Sequence, residues 1–72
     1  MKYKIESFRG YKKTNILSMA EMAAVAMLEE IERENQPLKN RWIKICEKQE
    51  DGTYKPLKYL DNSSTPLNWI FY

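Results

Sequence analysis

The sequence predicts a single α+β domain in which one helix packs on a small, mainly antiparallel sheet, in the order β-α-β-β with a further short strand at the end. Three observations predict it: a period-2 segment at the start, a long helical pattern free of Gly and Pro, and two strand-like runs flanking Glu50-Asp51-Gly52. A chain of 72 residues has room for one hydrophobic core, and a domain of this size buries roughly 60% of the surface its unfolded form exposes. Apolar residues make up 43% of the chain and charged residues 31%, a globular composition in which five Tyr, two Trp and two Phe supply large buried areas. So small a core leaves little surplus over chain entropy, so a homodimer or a bound partner would add stability.

Taken in order, Met1, Tyr3 and Ile5 alternate with Lys2, Lys4 and Glu6 as a half-buried strand does, and Arg9-Gly10 is read as its end. The helix is expected to start at Ser18, because Ser18-Met19-Ala20-Glu21 has the form of a capping box with Leu17 and Met22 as a hydrophobic staple. It should run through Asn35 and be stopped by Pro37. At 100° per residue Ala20, Ala24, Met27, Leu28 and Ile31 share one stripe, which should face the sheet.

Residues 41–49 and 53–60 read as a hairpin, since Gly52 tolerates the positive φ that a tight connection requires. A two-residue loop would place Ile43 and Ile45 on one face with Tyr54 and Lys58, mixing core with solvent. A three-residue loop over 50–52 aligns Ile45 with Leu57 and Ile43 with Tyr59. It leaves Trp42, Lys44, Cys46 and Lys58 on the opposite face. Residues 61–66 read as a loop, and 67–72 as a short last strand or packed tail rich in aromatics.

Cys46 has no partner for an internal disulfide, and no leader-like apolar run or stretch of about 18 apolar residues occurs, so a cytoplasmic setting with no membrane association is expected. With no His, the commonest general base and metal ligand is missing, and no phosphate-binding loop, dinucleotide fingerprint or zinc spacing is present. The expectation is a protein that binds rather than catalyses, with no cofactor and no metal. Cys46 lies between Lys44 and Lys48, which would favour a thiolate, but a small half-buried strand residue is the preferred reading. Glu29, Glu30, Glu32 and Glu34 diverge around the helix and read as a solvated face, although they oppose its macrodipole.

Charge is segregated along the chain: residues 19–35 hold five acids and one Arg, and the rest holds eleven bases and five acids. Two surfaces follow. Met19, Met22, Val25 and Ala26, with Glu29 and Glu30 beside them, form a helix face outside the core stripe that suits contact with another protein, from a host or a second copy of the chain. Of the two covers for this face, the 67–72 tail of the same chain is preferred over a second chain, because its aromatic residues need a surface to pack on. Lys2, Lys4, Trp42, Lys44, Lys48, Tyr54 and Lys58 form an open sheet face that interleaves cations with rings and suits nucleic acid. The Lys-flanked hairpin around Asp51-Gly52 with its aromatic strand is similar to the DNA-reading sheet of integrase arm-binding domains. That likeness spans less than half the chain, with the helix before rather than after the hairpin, and transfers no site residue. The leading expectation is a small protein-binding regulator or inhibitor of the phage or mobile-element accessory type, such as an inhibitor of a host factor or defence system. A nucleic-acid-binding module is the alternative.

Overall fold

A computed structural model of the chain describes residues 1–61 and 68–72. Its strands are β1 (Tyr3–Ser7), β2 (Gly10–Thr14), β3 (Lys44–Lys48), β4 (Tyr54–Asp61) and β5 (Asn68–Phe71), with helix α1 (Leu17–Arg33) and a short 3-10 turn over Leu38–Asn40. The sheet runs β2-β1-β3-β4-β5 and every neighbouring pair is antiparallel. The α+β reading holds, with one strand more than the sequence suggested.

The added strand is β2, which pairs with β1 from Tyr3↔Thr14 to Ser7↔Gly10. Residues 10–14 bury almost nothing, so they lack the apolar alternation by which strands are recognised. Arg9-Gly10 is therefore a turn within a hairpin rather than the end of sheet structure. Ser7 shapes that turn: its hydroxyl accepts from the Arg9 amide at 3.2 Å and donates to the Gly10 carbonyl at 3.3 Å. Gly10 sits at φ 140° and Gly52 at φ 88°, conformations that side chains with a Cβ rarely adopt.

The helix begins at Leu17, one residue ahead of the expected start, and its N-cap Ile16 makes no side-chain cap bond. The capping box on Ser18 does not form, because Ser18 already lies inside the helix, and the Glu21 carboxylate pairs with Lys58 from β4. At the other end Asn35 lies at φ 60°, its amide donates to Glu32 and that of Gln36 to Ile31. This is a Schellman stop, so Asn35 terminates the helix rather than continuing it. Glu34, one of the acids set against the macrodipole, forms a bidentate pair with Arg9 of the β1–β2 turn.

The core gathers Tyr3, Ile5, Ala20, Ala24, Leu28, Ile31, Ile43, Ile45 and Leu60, with Met27 and Leu57 half-buried against it. The helix packs over β1, β2 and β3. Near the turn, the β3–β4 register is the expected one: Gln49 and Thr53 flank a three-residue loop, and Cys46 faces Pro56. Beyond Leu57 the register changes by one, pairing Ile45 with Lys58 and Lys44 with Tyr59.

That shift corrects two assignments. Lys58 lies on the helix side and is buried, and Tyr59 lies on the open side, the reverse of the sequence reading. Pro56 supplies a physical reason, because a proline inside a strand with neighbours on both sides removes a ladder donor and is accommodated beside a bulge. The expected loop over 61–66 falls, apart from Asp61 at the end of β4, outside the described residues, as does Leu67.

Candidate binding surface on the open sheet face

Alternation along β1, β2 and β3 turns Lys4, Glu6, Tyr11, Lys13, Lys44, Cys46 and Lys48 to the face away from the helix, and the pairing Lys48↔Tyr54 brings Tyr54 to the same side. These side chains interlock. The Lys4 ammonium lies 4.6 Å from the centre of the Tyr11 ring and 5.7 Å from that of Tyr54, and Lys13 lies 5.5 and 5.2 Å from the same two rings. Lys44 stands 5.9 Å from the Trp42 ring. Each distance is within reach of a cation–π contact, so cations and rings form one interleaved cluster. The Tyr54 hydroxyl donates to the Met1 carbonyl, which fixes that ring further.

Glu6 is the acid set among these lysines, 3.4 Å from Lys4 and 3.5 Å from Lys44. Burial by itself would raise its carboxyl pKa, but the charge of Lys44 and the hydrogen bond and charge of Lys4 together outweigh burial and hold it below the ordinary value. Beside it, burial pushes the Cys46 thiol up and the charge of Glu6 adds to this, against the opposing pull of Lys44 and Lys4. The thiol is buried, with Sγ 3.8 Å from Glu6 Oε1, which favours the thiol form and disfavours an activated thiolate.

Of the seven residues expected on this surface, Lys4, Trp42, Lys44, Lys48 and Tyr54 share it. Lys58 does not, since its ammonium turns to Glu21 and lies 4.7 and 5.1 Å from the rings of Trp69 and Phe71. Lys2 sits just outside the β1 ladder with its ammonium 5.6 Å from the Tyr3 ring, apart from the Tyr11–Tyr54 cluster. Sequence reasoning missed Tyr11 and Lys13 along with the strand that carries them. The signal for that strand was confined to Arg9-Gly10, a turn placed directly after β1 where a hairpin partner can follow.

The second expected surface is intact in part. Met19, Met22, Ala26, Glu29 and Glu30 are exposed, Met22 at 71%, whereas Val25 is half-buried against the core. Glu21, Met22, Val25, Ala26 and Glu29 line a shallow depression. The tail does not cover it: Asn68–Phe71 pairs with β4 as a sheet edge, and Met22 stays open. Glu30 belongs to a different groove of about 220 Å³ between the helix and the β1–β2 hairpin, with Arg9, Tyr11 and Met27.

Among the described residues, no three His, Cys, Asp or Glu side chains gather to hold a metal ion, and no helix is long and apolar enough to cross a membrane. No protein-family model, curated protein or solved structure matches this chain.

Proposed function

We propose that the chain is a non-enzymatic binding module that holds single-stranded nucleic acid on the open sheet face. The observation that carries this reading is the array of Lys4, Lys13, Tyr11 and Tyr54, continued by Lys44 and Trp42, on a sheet face that the helix leaves uncovered. Lysines at strand spacing meet phosphates, and rings between them offer faces on which bases stack without sequence preference. Charge supports the same orientation. Glu29, Glu30 and Glu32 ride on the helix in the other layer, away from a bound polyanion, and Glu6 is already engaged by two lysines.

Fluorescence anisotropy with labelled oligothymidylate across a salt series tests the proposal. Neutralising about three or four phosphates gives a slope of log affinity against log salt of roughly −2 to −3 for single strands. Lys13→Ala should shrink that slope by about 0.7, and Tyr11→Ala should weaken binding by about 1 to 3 kcal/mol where a base stacks. Absence of binding to single-stranded DNA or RNA at low salt overturns it.

A second reading, a protein-binding regulator or inhibitor of the accessory type, is favoured by the exposed Met22 in its depression with Ala26 and Glu29. On that reading Met22→Lys abolishes partner capture while Lys13→Ala leaves it intact.

A further inference from the structure

The two edges of the sheet differ in a way that assigns them different roles. β2 ends the sheet with Gly10, Lys12 and Lys13, and lysines on an edge discourage pairing with another strand. β5 ends it with Asn68-Trp69-Ile70-Phe71, a strand with no charge, no Pro and no Gly. Phe71 is 64% exposed, and Ile70 and Tyr72 are exposed beside it.

The ladder to β4 fixes which backbone groups face outward. The Tyr72 amide donates to the Leu57 carbonyl at 3.2 Å, in line with the pairings Lys58↔Phe71 and Leu60↔Trp69. Hydrogen-bonding direction alternates along an antiparallel strand, so Tyr72, Ile70 and Asn68 bond inward and the N–H and C=O of Trp69 and Phe71 point to the open edge.

We propose that this edge pairs with the β5 edge of a second copy of the chain, antiparallel about a two-fold axis at Ile70, joining two sheets into one. In that register Trp69 faces Phe71 of the other copy and exchanges both backbone hydrogen bonds with it, and the reciprocal pair does the same. Ile70 meets Ile70 at the axis as the non-hydrogen-bonded pair, and Asn68 faces Tyr72. Two aromatic cross-strand pairs thus form on the helix side, where Lys58 already holds both rings. A second copy is the occupant that the charge pattern selects. A strand laid on its own copy brings its own charges together, which β2 with Lys12 and Lys13 would suffer and uncharged β5 does not. The pairing is independent of nucleic-acid binding and is tested without it.

Sedimentation velocity over a micromolar concentration series should show wild-type chain associating to twice its 8.6 kDa mass. Ile70→Lys sets like charges together at the axis and should weaken association by about tenfold or more. Met22→Lys, on the helix, should leave association unchanged. Amide exchange gives a second measurement on the unaltered chain: Trp69 and Phe71 amides should slow as concentration rises, while those of β2 do not. A wild-type monomer throughout the series, a dimer dissociated by Met22→Lys but not by Ile70→Lys, or edge amides indifferent to concentration would overturn the proposal.

Discussion

Lys58 and Glu21, 37 residues apart in the chain, form an ion pair between the sheet and the helix, with the lysine 4% exposed and the glutamate side chain 34%. The ammonium is enclosed on its remaining sides by the rings of Trp69 and Phe71. The pair is thus asymmetric: water reaches the carboxylate but hardly the ammonium.

Removing the carboxylate strands a buried cation. Breaking a fully buried pair costs about 3 to 5 kcal/mol and an exposed one under about 1. With Glu21 a third exposed, Glu21→Ala should therefore cost about 1 to 3 kcal/mol in urea unfolding. Lys58→Met, which removes the charge and keeps the volume, should stay within about 1 kcal/mol of wild type or exceed it. A larger loss for Lys58→Met than for Glu21→Ala would show that the ammonium, not its burial, is what the fold requires.

Ile45 is fully buried opposite Lys58, and Lys44 beside it points to the open face. Ile45→Ala should cost about 2 to 5 kcal/mol through lost burial and the cavity left behind. Lys44→Ala loses only a partly exposed pair with Glu6, worth under about 1 kcal/mol. Denaturant midpoints in the reverse order would exchange the two faces of β3.

Glu6 makes stability depend on acid. Its native pKa lies below the ordinary value of 4.5, so near and below that value the unfolded chain binds more protons than the folded one. The stabilisation is complete above 4.5 and is lost as pH falls through the native value. Asp51, held low by the hydroxyl and amide of Thr53, contributes in the same direction. Glu6→Gln should flatten the acid limb of a stability–pH curve and leave a residual slope. An unchanged limb would mean that the lysines around Glu6 do not favour its ionised form.

The parts of this architecture carried by periodic burial were legible in advance. The stripe Ala20, Ala24, Leu28 and Ile31, the alternation Tyr3 and Ile5, and the three-residue turn at Gly52 each follow from one local rule. What escaped were elements fixed by distant partners. β2 buries almost nothing, so it exists by pairing with β1 rather than by its own pattern. Ser18 does not cap because the helix begins ahead of it, and Glu21 pairs instead with a cation on β4. Five members of the open-face cluster were recognisable from parity, and Tyr11 and Lys13 were hidden with their strand.

The extra residue at Leu57 has a consequence for how β4 tolerates change. On the turn side of it, even-numbered positions such as Tyr54 and Pro56 belong to the open face; past it, even-numbered Lys58 and Leu60 belong to the interior. The strand thus carries a phase reversal, and an aligned pattern of permitted polar substitutions would switch from even to odd positions partway along one uninterrupted element. A chain shortened by that one residue would keep a continuous ladder with Lys58 and Leu60 still inward and Tyr59 still on the open face, whereas smoothing the bulge at constant length would turn Tyr59 inward and Leu60 to water.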